Sequence, residues 1–218
     1  MLVAPSILSA DFLHLSQDVE LVNSHADLFH LDVMDGTFVP NISFGFPVVE
    51  AIAKKACKPM DVHLMIVHPE KYIERFAKTG AEMVSFHYEA ARDNASEVIG
   101  LIHACGAKAG IAINPDCPVE NIFPFLAEVD FVVLMSVFAG FGGQKFIEDS
   151  YGRIASILRE RERTGARFLL EIDGGVTTGN AGKLQQSGAD ILVAGSAVFK
   201  APDPAAAISA IRGYTPVP

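Results

Sequence analysis

Residues 187–194 read S-G-A-D-I-L-V-A, and this stretch shows the unit from which the whole chain is assembled. Gly188 suits the left-handed position that ends a helix, and residues 191–194 form the short, branched apolar run of a buried strand. The same pulse recurs at Ser24-His25-Ala26-Asp27, Thr79-Gly80-Ala81-Glu82, Cys105-Gly106-Ala107-Lys108 and Thr164-Gly165-Ala166-Arg167. Each precedes an apolar run, at 28–33, 83–87, 109–113 and 168–172, and further runs at 3–7, 60–65 and 131–135 bring the set to eight. Between them lie helix-length segments with apolar residues three and four apart, such as Ile99 and Ile102 with Leu101, or Ile154, Ile157 and Leu158. Strands alternating with helical stretches, with no break in composition, predict an α/β fold: a single (β/α)8 TIM barrel over residues 1–218. An open doubly wound sheet is the alternative, weakened because no Gly-x-Gly-x-x-Gly follows the first run.

Composition sets the surroundings. Of 218 residues, 50% are hydrophobic and 20% charged, which suits a globular domain with a large core. No apolar run approaches the roughly 18 residues that a membrane span needs, and the first residues lack a basic leader, so a cytoplasmic protein without a membrane partner is expected. Cys57, Cys105 and Cys117 are odd in number and lack C-x-x-C spacing, so they read as reduced small hydrophobes. A net charge of -9 argues against nucleic acid but leaves room for a small anion held by local donors.

Polar residues stand at the ends of these strands, where a barrel keeps its chemistry. In F-H-L-D-V-M-D-G, residues 29–36, His30 and Asp32 share one face of a strand while Phe29, Leu31 and Val33 share the other. His63 ends the third run in D-V-H-L-M and Asp173 the seventh in E-I-D-G-G. Two imidazoles and two carboxylates converging on one mouth make a divalent metal site, suited to zinc, iron(II), cobalt or manganese rather than magnesium. Hydrogen-bonded core histidines and loop-capping aspartates remain the plainer alternative. A second group reads as a phosphate cradle: Gly140, Gly142 and Gly143 after the sixth run, Gly174 and Gly175 after the seventh, Gly195 and Ser196 after the eighth. Glycines let backbone N–H groups surround an anion, and a helix start adds a favourable dipole. Met34, Met65 and Met135 stand at strand ends as flexible apolar filler. Asp35 reads as ordering the following loop, Asp11 as capping the first helix and Lys145 as peripheral to the phosphate. His14, His25, His68, His87 and His103 receive no catalytic role.

The blocks P-S-I-L-S-A-D-F (5–12), H-L-D-V-M-D-G-T-F-V-P-N (30–41), D-V-H-L-M (61–65), G-F-G-G-Q-K-F (140–146), E-I-D-G-G-V (171–176) and A-G-S-A-V-F (194–199) strongly resemble the ribulose-phosphate 3-epimerase family. The resemblance implies interconversion of D-ribulose 5-phosphate and D-xylulose 5-phosphate, one divalent metal on His30, Asp32, His63 and Asp173, and Asp32 and Asp173 as the acid/base pair. It further implies that Ser6, His63, the glycine loops with Phe141, and Gly195-Ser196 hold the sugar phosphate. The three methionines become an apolar layer that excludes water, and the protein a homo-oligomer. Where the family usually has Asn-Pro before Gly-Phe-Gly-Gly, this chain has Phe138-Ala139.

Rival readings are separable. Related decarboxylases carry Asp-x-Lys-x-x-Asp at the second strand, where this chain has His30, Asp32 and Asp35 and lacks the lysine. A metal-dependent hydrolase would consume water rather than exchange a carbon-bound proton. An epimerase of a hexulose phosphate such as D-allulose 6-phosphate differs only in reach from metal to phosphate, and a non-catalytic phosphate-binding barrel would not need His30, His63 and both aspartates.

Overall fold

In the computed structural model, which describes residues 1–213, eight parallel strands form one sheet that curls round to meet itself. They are β1 (Leu2–Pro5), β2 (Phe29–Met34), β3 (Met60–Met65), β4 (Met83–His87), β5 (Lys108–Ile113), β6 (Phe131–Met135), β7 (Leu169–Asp173) and β8 (Ile191–Ala194). The order β1-β8-β7-β6-β5-β4-β3-β2 leaves one seam, between β1 and β2. There Ser6 and His30 form a single parallel bridge, and the Val3 N–H donates to the Asp27 carboxylate at 2.9 Å. The wall is thereby nearly closed, and the (β/α)8 barrel expected from the alternation is the fold. Residues 214–218 of the expected domain lie outside the described residues.

Helices α1 (Leu15–His25), α2 (Phe46–Ala53), α3 (Ile73–Lys78), α4 (Ala95–Ala104), α5 (Ser150–Thr164), α6 (Ala181–Gln186), α7 (Ser196–Phe199) and α8 (Pro204–Arg212) pack outside the wall. The pulse that opened the sequence reading ends several of them: Gly80, Gly106, Gly165 and Gly188 all have positive φ. The segment between β5 and β6 is the exception to α-helix, forming a 3-10 helix over Val119–Phe125. Pro124 inside it has no N–H to donate and its ring blocks the preceding turn. Strand β1 stops two residues short of the expected run because Ile7–Ser9 coil into a 3-10 turn. Asp11 does not cap α1. A turn intervenes, so the N-cap is His14, and Asp11 instead accepts from Leu13 N–H at 2.9 Å and pairs with His14 Nδ1 at 2.8 Å.

Alternation along each strand divides two interiors. One set of side chains, including Leu31, Val62, Leu64, Val84, Phe86, Ile111, Val132, Leu134, Leu170 and Leu192, joins the core under the helices. The other set fills the lumen, which is split by chemistry. Along β1, β5, β6 and β8 it is apolar, with Ala4, Ala112, Phe131, Val133, Met135, Ile191 and Val193. Phe131 fills the middle so fully that a Cβ on Gly110 would sit 2.3 Å from its Cζ. On β2, β3, β4 and β7 the buried residues are His30, Asp32, Asp61, His63, Ser85, His87, Glu171 and Asp173. Burying so many ionisable groups is unfavourable unless each finds a partner, so their pairing has to be traced.

Candidate active site

Strand register brings the ends of β2 and β3 level. His30 lies beside Asp61, Asp32 beside His63 and Met34 beside Met65. The lumen then carries Asp173 of β7 to the same point. His30 Nε2 is 3.4 Å from Asp32 Oδ1 and 3.7 Å from Asp173 Oδ2, while His63 Nδ1 is 3.5 Å from each of those oxygens. The four ligand atoms lie within 4.8 Å of one another, at the C-terminal ends of their strands. Both ring nitrogens are buried and make no hydrogen bond, despite the two facing carboxylates. Two nitrogens and two oxygens turned to one centre without bonding each other are suited to a transition ion that accepts imidazole.

Without a cation, protons take up the charge. Burial opposes the imidazolium form of His63, yet the facing carboxylates of Asp173 and Asp32 outweigh it and raise its pKa to about 9. His30 behaves alike, with burial overcome by Asp32 and Asp61. Burial also opposes charge on Asp32, but His30 and His63 hold that carboxyl far below the usual range. Its other oxygen, Oδ2, accepts from Ser6 Oγ at 2.6 Å.

A second layer, absent from the sequence reading, lies beneath. His30 Nδ1 is 2.6 Å from Asp61 Oδ2 and 3.2 Å from Glu171 Oε1, all fully buried. Burial, and then the charge of Asp61, push the Glu171 carboxyl up to about 8. His63 Nε2 meets His87 Nε2 at 3.0 Å, with the rings stacked. His87, which the sequence left without a role, is kept below its ordinary pKa chiefly by burial. The signal was present: Asp61-x-His63, Ser85-x-His87 and Glu171-x-Asp173 all repeat the i, i+2 spacing of His30-x-Asp32 on inward faces.

Above the four residues opens a cavity of about 190 Å³. Asp32 and Asp173 are at its floor, and Met34, Met65, Met135 and Val193 give it apolar walls. Ser6, Gly140, Phe141, Gly142, Gly143, Gly174, Gly175, Gly195 and Ser196 all border it, joined by Ser9, Gln144 and Thr177, which the sequence did not suggest. His63 does not border it, being fully buried behind the carboxylates. Two glycines are required by space. A Cβ on Gly174, at φ +110, would lie 2.3 Å from Val137 Cγ2, and one on Gly175, at φ +63, would lie 2.5 Å from Phe146 N. Helix α7 is a single turn, so backbone N–H groups rather than a helix dipole are what this rim offers an anion. Asp35 orders the loop after β2 as expected, accepting from the N–H groups of Thr37, Phe38 and Val67. Among the described residues no helix is long and apolar enough to cross a membrane.

The model of the ribulose-phosphate 3 epimerase family matches residues 2–199. The ribulose-phosphate 3-epimerase of Bacillus subtilis is 46% identical over 213 residues, covering 97% of this chain and 98% of that protein. The enzyme of the same name from Mycobacterium tuberculosis is 44% identical over 211 residues, covering 97% and 91%. In fold, the crystal structure of KGPDC from Streptococcus mutans superposes with a TM-score of 0.74 at 11% identity, covering 97% of this chain and 95% of that one.

Proposed function

The chain is an enzyme of the ribulose-phosphate 3-epimerase family, and from that premise we propose that it interconverts D-ribulose 5-phosphate and D-xylulose 5-phosphate by proton transfer between Asp32, Asp173 and C3. The observation that carries this reading is the pairing of two carboxylates on the cavity floor with a glycine-lined rim that offers backbone donors to a phosphate. Inverting a carbon beside a carbonyl requires a base on one face and an acid on the other. Asp32 and Asp173 come from β2 and β7, three strands apart around the barrel, and meet over the same two imidazoles.

The donor set of His30, Asp32, His63 and Asp173 would hold one divalent transition ion: zinc, iron(II), cobalt or manganese. Such an ion supplies positive charge that stabilises the negative charge developing on the sugar oxygens. The remaining work belongs to the chain. The ionised aspartate takes the C3 proton, and the protonated one returns a proton to the opposite face. Ser6 suits either state of Asp32, because its hydroxyl donates to Oδ2 of the carboxylate at 2.6 Å and can turn to accept from the acid. Met34, Met65 and Met135 keep water from the carbanion, and the glycine rim with Ser196 binds the phosphate and fixes which carbon lies over the floor.

The test is exchange of the C3 proton of D-ribulose 5-phosphate with deuterated water, followed beside turnover in Asp173→Asn. Loss of turnover with the cation retained is expected, with exchange surviving at most in the one epimer whose C3 proton faces Asp32. Turnover continuing at the parent rate would remove the two-carboxylate scheme. Parallel assays on D-allulose 6-phosphate establish sugar length.

A further inference from the structure

Resting on the cation site proposed above, we propose that His87 and Glu89 are positioning residues that set the tautomer of His63, so that its Nδ1 lone pair, not an N–H, faces the cation. If Nδ1 of His63 is to bind a cation, the ring proton must sit on Nε2. That nitrogen lies 3.0 Å from His87 Nε2, and both rings are fully buried, so one must donate and the other accept. With His63 Nε2–H donating, His87 accepts at Nε2 and carries its own proton on Nδ1. Glu89 Oε2 is 3.4 Å from that Nδ1, ready to accept.

A competing neighbour makes the arrangement sensitive. Asn114 Nδ2 also lies 3.4 Å from His87 Nδ1, but it is a donor and serves only the opposite tautomer. The amide is held that way round, because Asn114 Oδ1 accepts the Ala139 N–H at 3.1 Å. Glu89 in turn is anchored where its Oε1 accepts the Asn114 N–H at 2.7 Å. Two residues therefore bid for opposite proton placements on His87. If Glu89 were removed, Asn114 would turn His87 to its Nε2–H form, which asks His63 Nε2 to accept and puts the His63 proton on Nδ1, in the cation's place. Carboxylate or carbonyl partners behind ligating imidazoles act in this way in metal sites generally. Here the partner is reached through a second imidazole.

The experiment uses cobalt(II) and zinc(II) with full-length protein stripped of metal. Cobalt binding is read by titration and by its visible absorption. The His63 and His87 tautomers are read from imidazole nitrogen-15 shifts of the zinc-loaded protein. Expected are a protonated Nδ1 and free Nε2 on His87, and a loss of about tenfold to a hundredfold in cobalt affinity for Glu89→Ala. In Glu89→Ala/Asn114→Asp, a carboxylate oxygen replaces the donor beside Nδ1, and most of the affinity should return. That recovery separates a proton-placing role from a folding one, since the double variant does not restore the Glu89 bond to the Asn114 N–H. The proposal is overturned by a proton on His87 Nε2 in the zinc-loaded parent, by parental cobalt affinity in Glu89→Ala, or by no recovery in the double variant. A parent protein that binds no cobalt would remove the cation site itself, and this inference with it.

Discussion

His30 and His63 turn their nitrogens to the same centre yet are backed by different kinds of neighbour. Behind His30 lie Asp61 and Glu171, two sealed carboxyl groups deep in the lumen. Behind His63 lies a neutral imidazole that leads outward through Glu89 and Asn114 to Ala139, on the loop that walls the cavity. The first support is charged and inward, so it contributes mainly to stability and to basicity of the ligand. The second is a chain of directional bonds reaching the rim, so it contributes mainly to proton placement. Supports of equal rank in a list of contacts thus differ in what their loss should do.

The largest separation is expected from Asp61→Ala. In the metal-free protein this leaves the buried imidazolium of His30 without its nearest partner, and urea unfolding should show a loss of about 3–5 kcal/mol. His87→Leu removes one bond to His63 and should cost about 1–3 kcal/mol in the same measurement. If the second loss equalled the first, the contrast between charged and neutral support would fail.

Next comes the dependence of stability on pH. Glu171 titrates at about 8 in the fold against a reference of 4.5, so the folded state keeps a proton that the unfolded chain releases. Its contribution is fully present below 4.5 and is lost as pH rises through about 8. The raised pKa of His63 acts in the same direction between its reference of 6.5 and about 9. Metal-free protein should therefore weaken from pH 6 to pH 9, and Glu171→Gln should flatten part of that decline. An unchanged slope in this variant would place the proton elsewhere. Cation binding should run the other way with pH. His63 must give up its Nδ1 proton, so apparent cobalt affinity should climb as pH rises towards about 9 and then level off.

The smallest effect belongs at the outer end of the relay. Asn114→Ala deletes the acceptor for the Ala139 N–H, and thermal unfolding should report about 1 kcal/mol. It also removes the donor that opposes Glu89, so His87 should hold its Nδ1 proton more firmly. A nitrogen-15 shift moving towards the other tautomer would contradict this.

Much of this architecture was legible in the chain. The glycine pulses announce helix ends because few other residues accept positive φ, and branched runs announce strands covered on both faces. The upper layer of the site was legible because barrel strands end in their functional residues. The lower layer was not, for a definite reason. Asp61 and Glu171 stand two residues before His63 and Asp173, one pleat deeper, where an ordinary lumen is apolar. His87 reaches His63 across the β3–β4 pair, and no periodicity along the chain says which residues on neighbouring strands touch. The misreading of Asp11 was local, since an additional turn moved the helix start away from it.

Ser6 and His30 draw one last consequence from the seam between β1 and β2. The thinnest part of the wall is fastened by the backbones of these two residues, while the Ser6 hydroxyl holds Asp32 and the His30 ring looks into the floor. Parting of the wall there would dismantle the reaction centre in the same movement, so the amides along this join should exchange with solvent in step with loss of turnover. Catalytic competence in this barrel is then itself a gauge of whether the cylinder is shut.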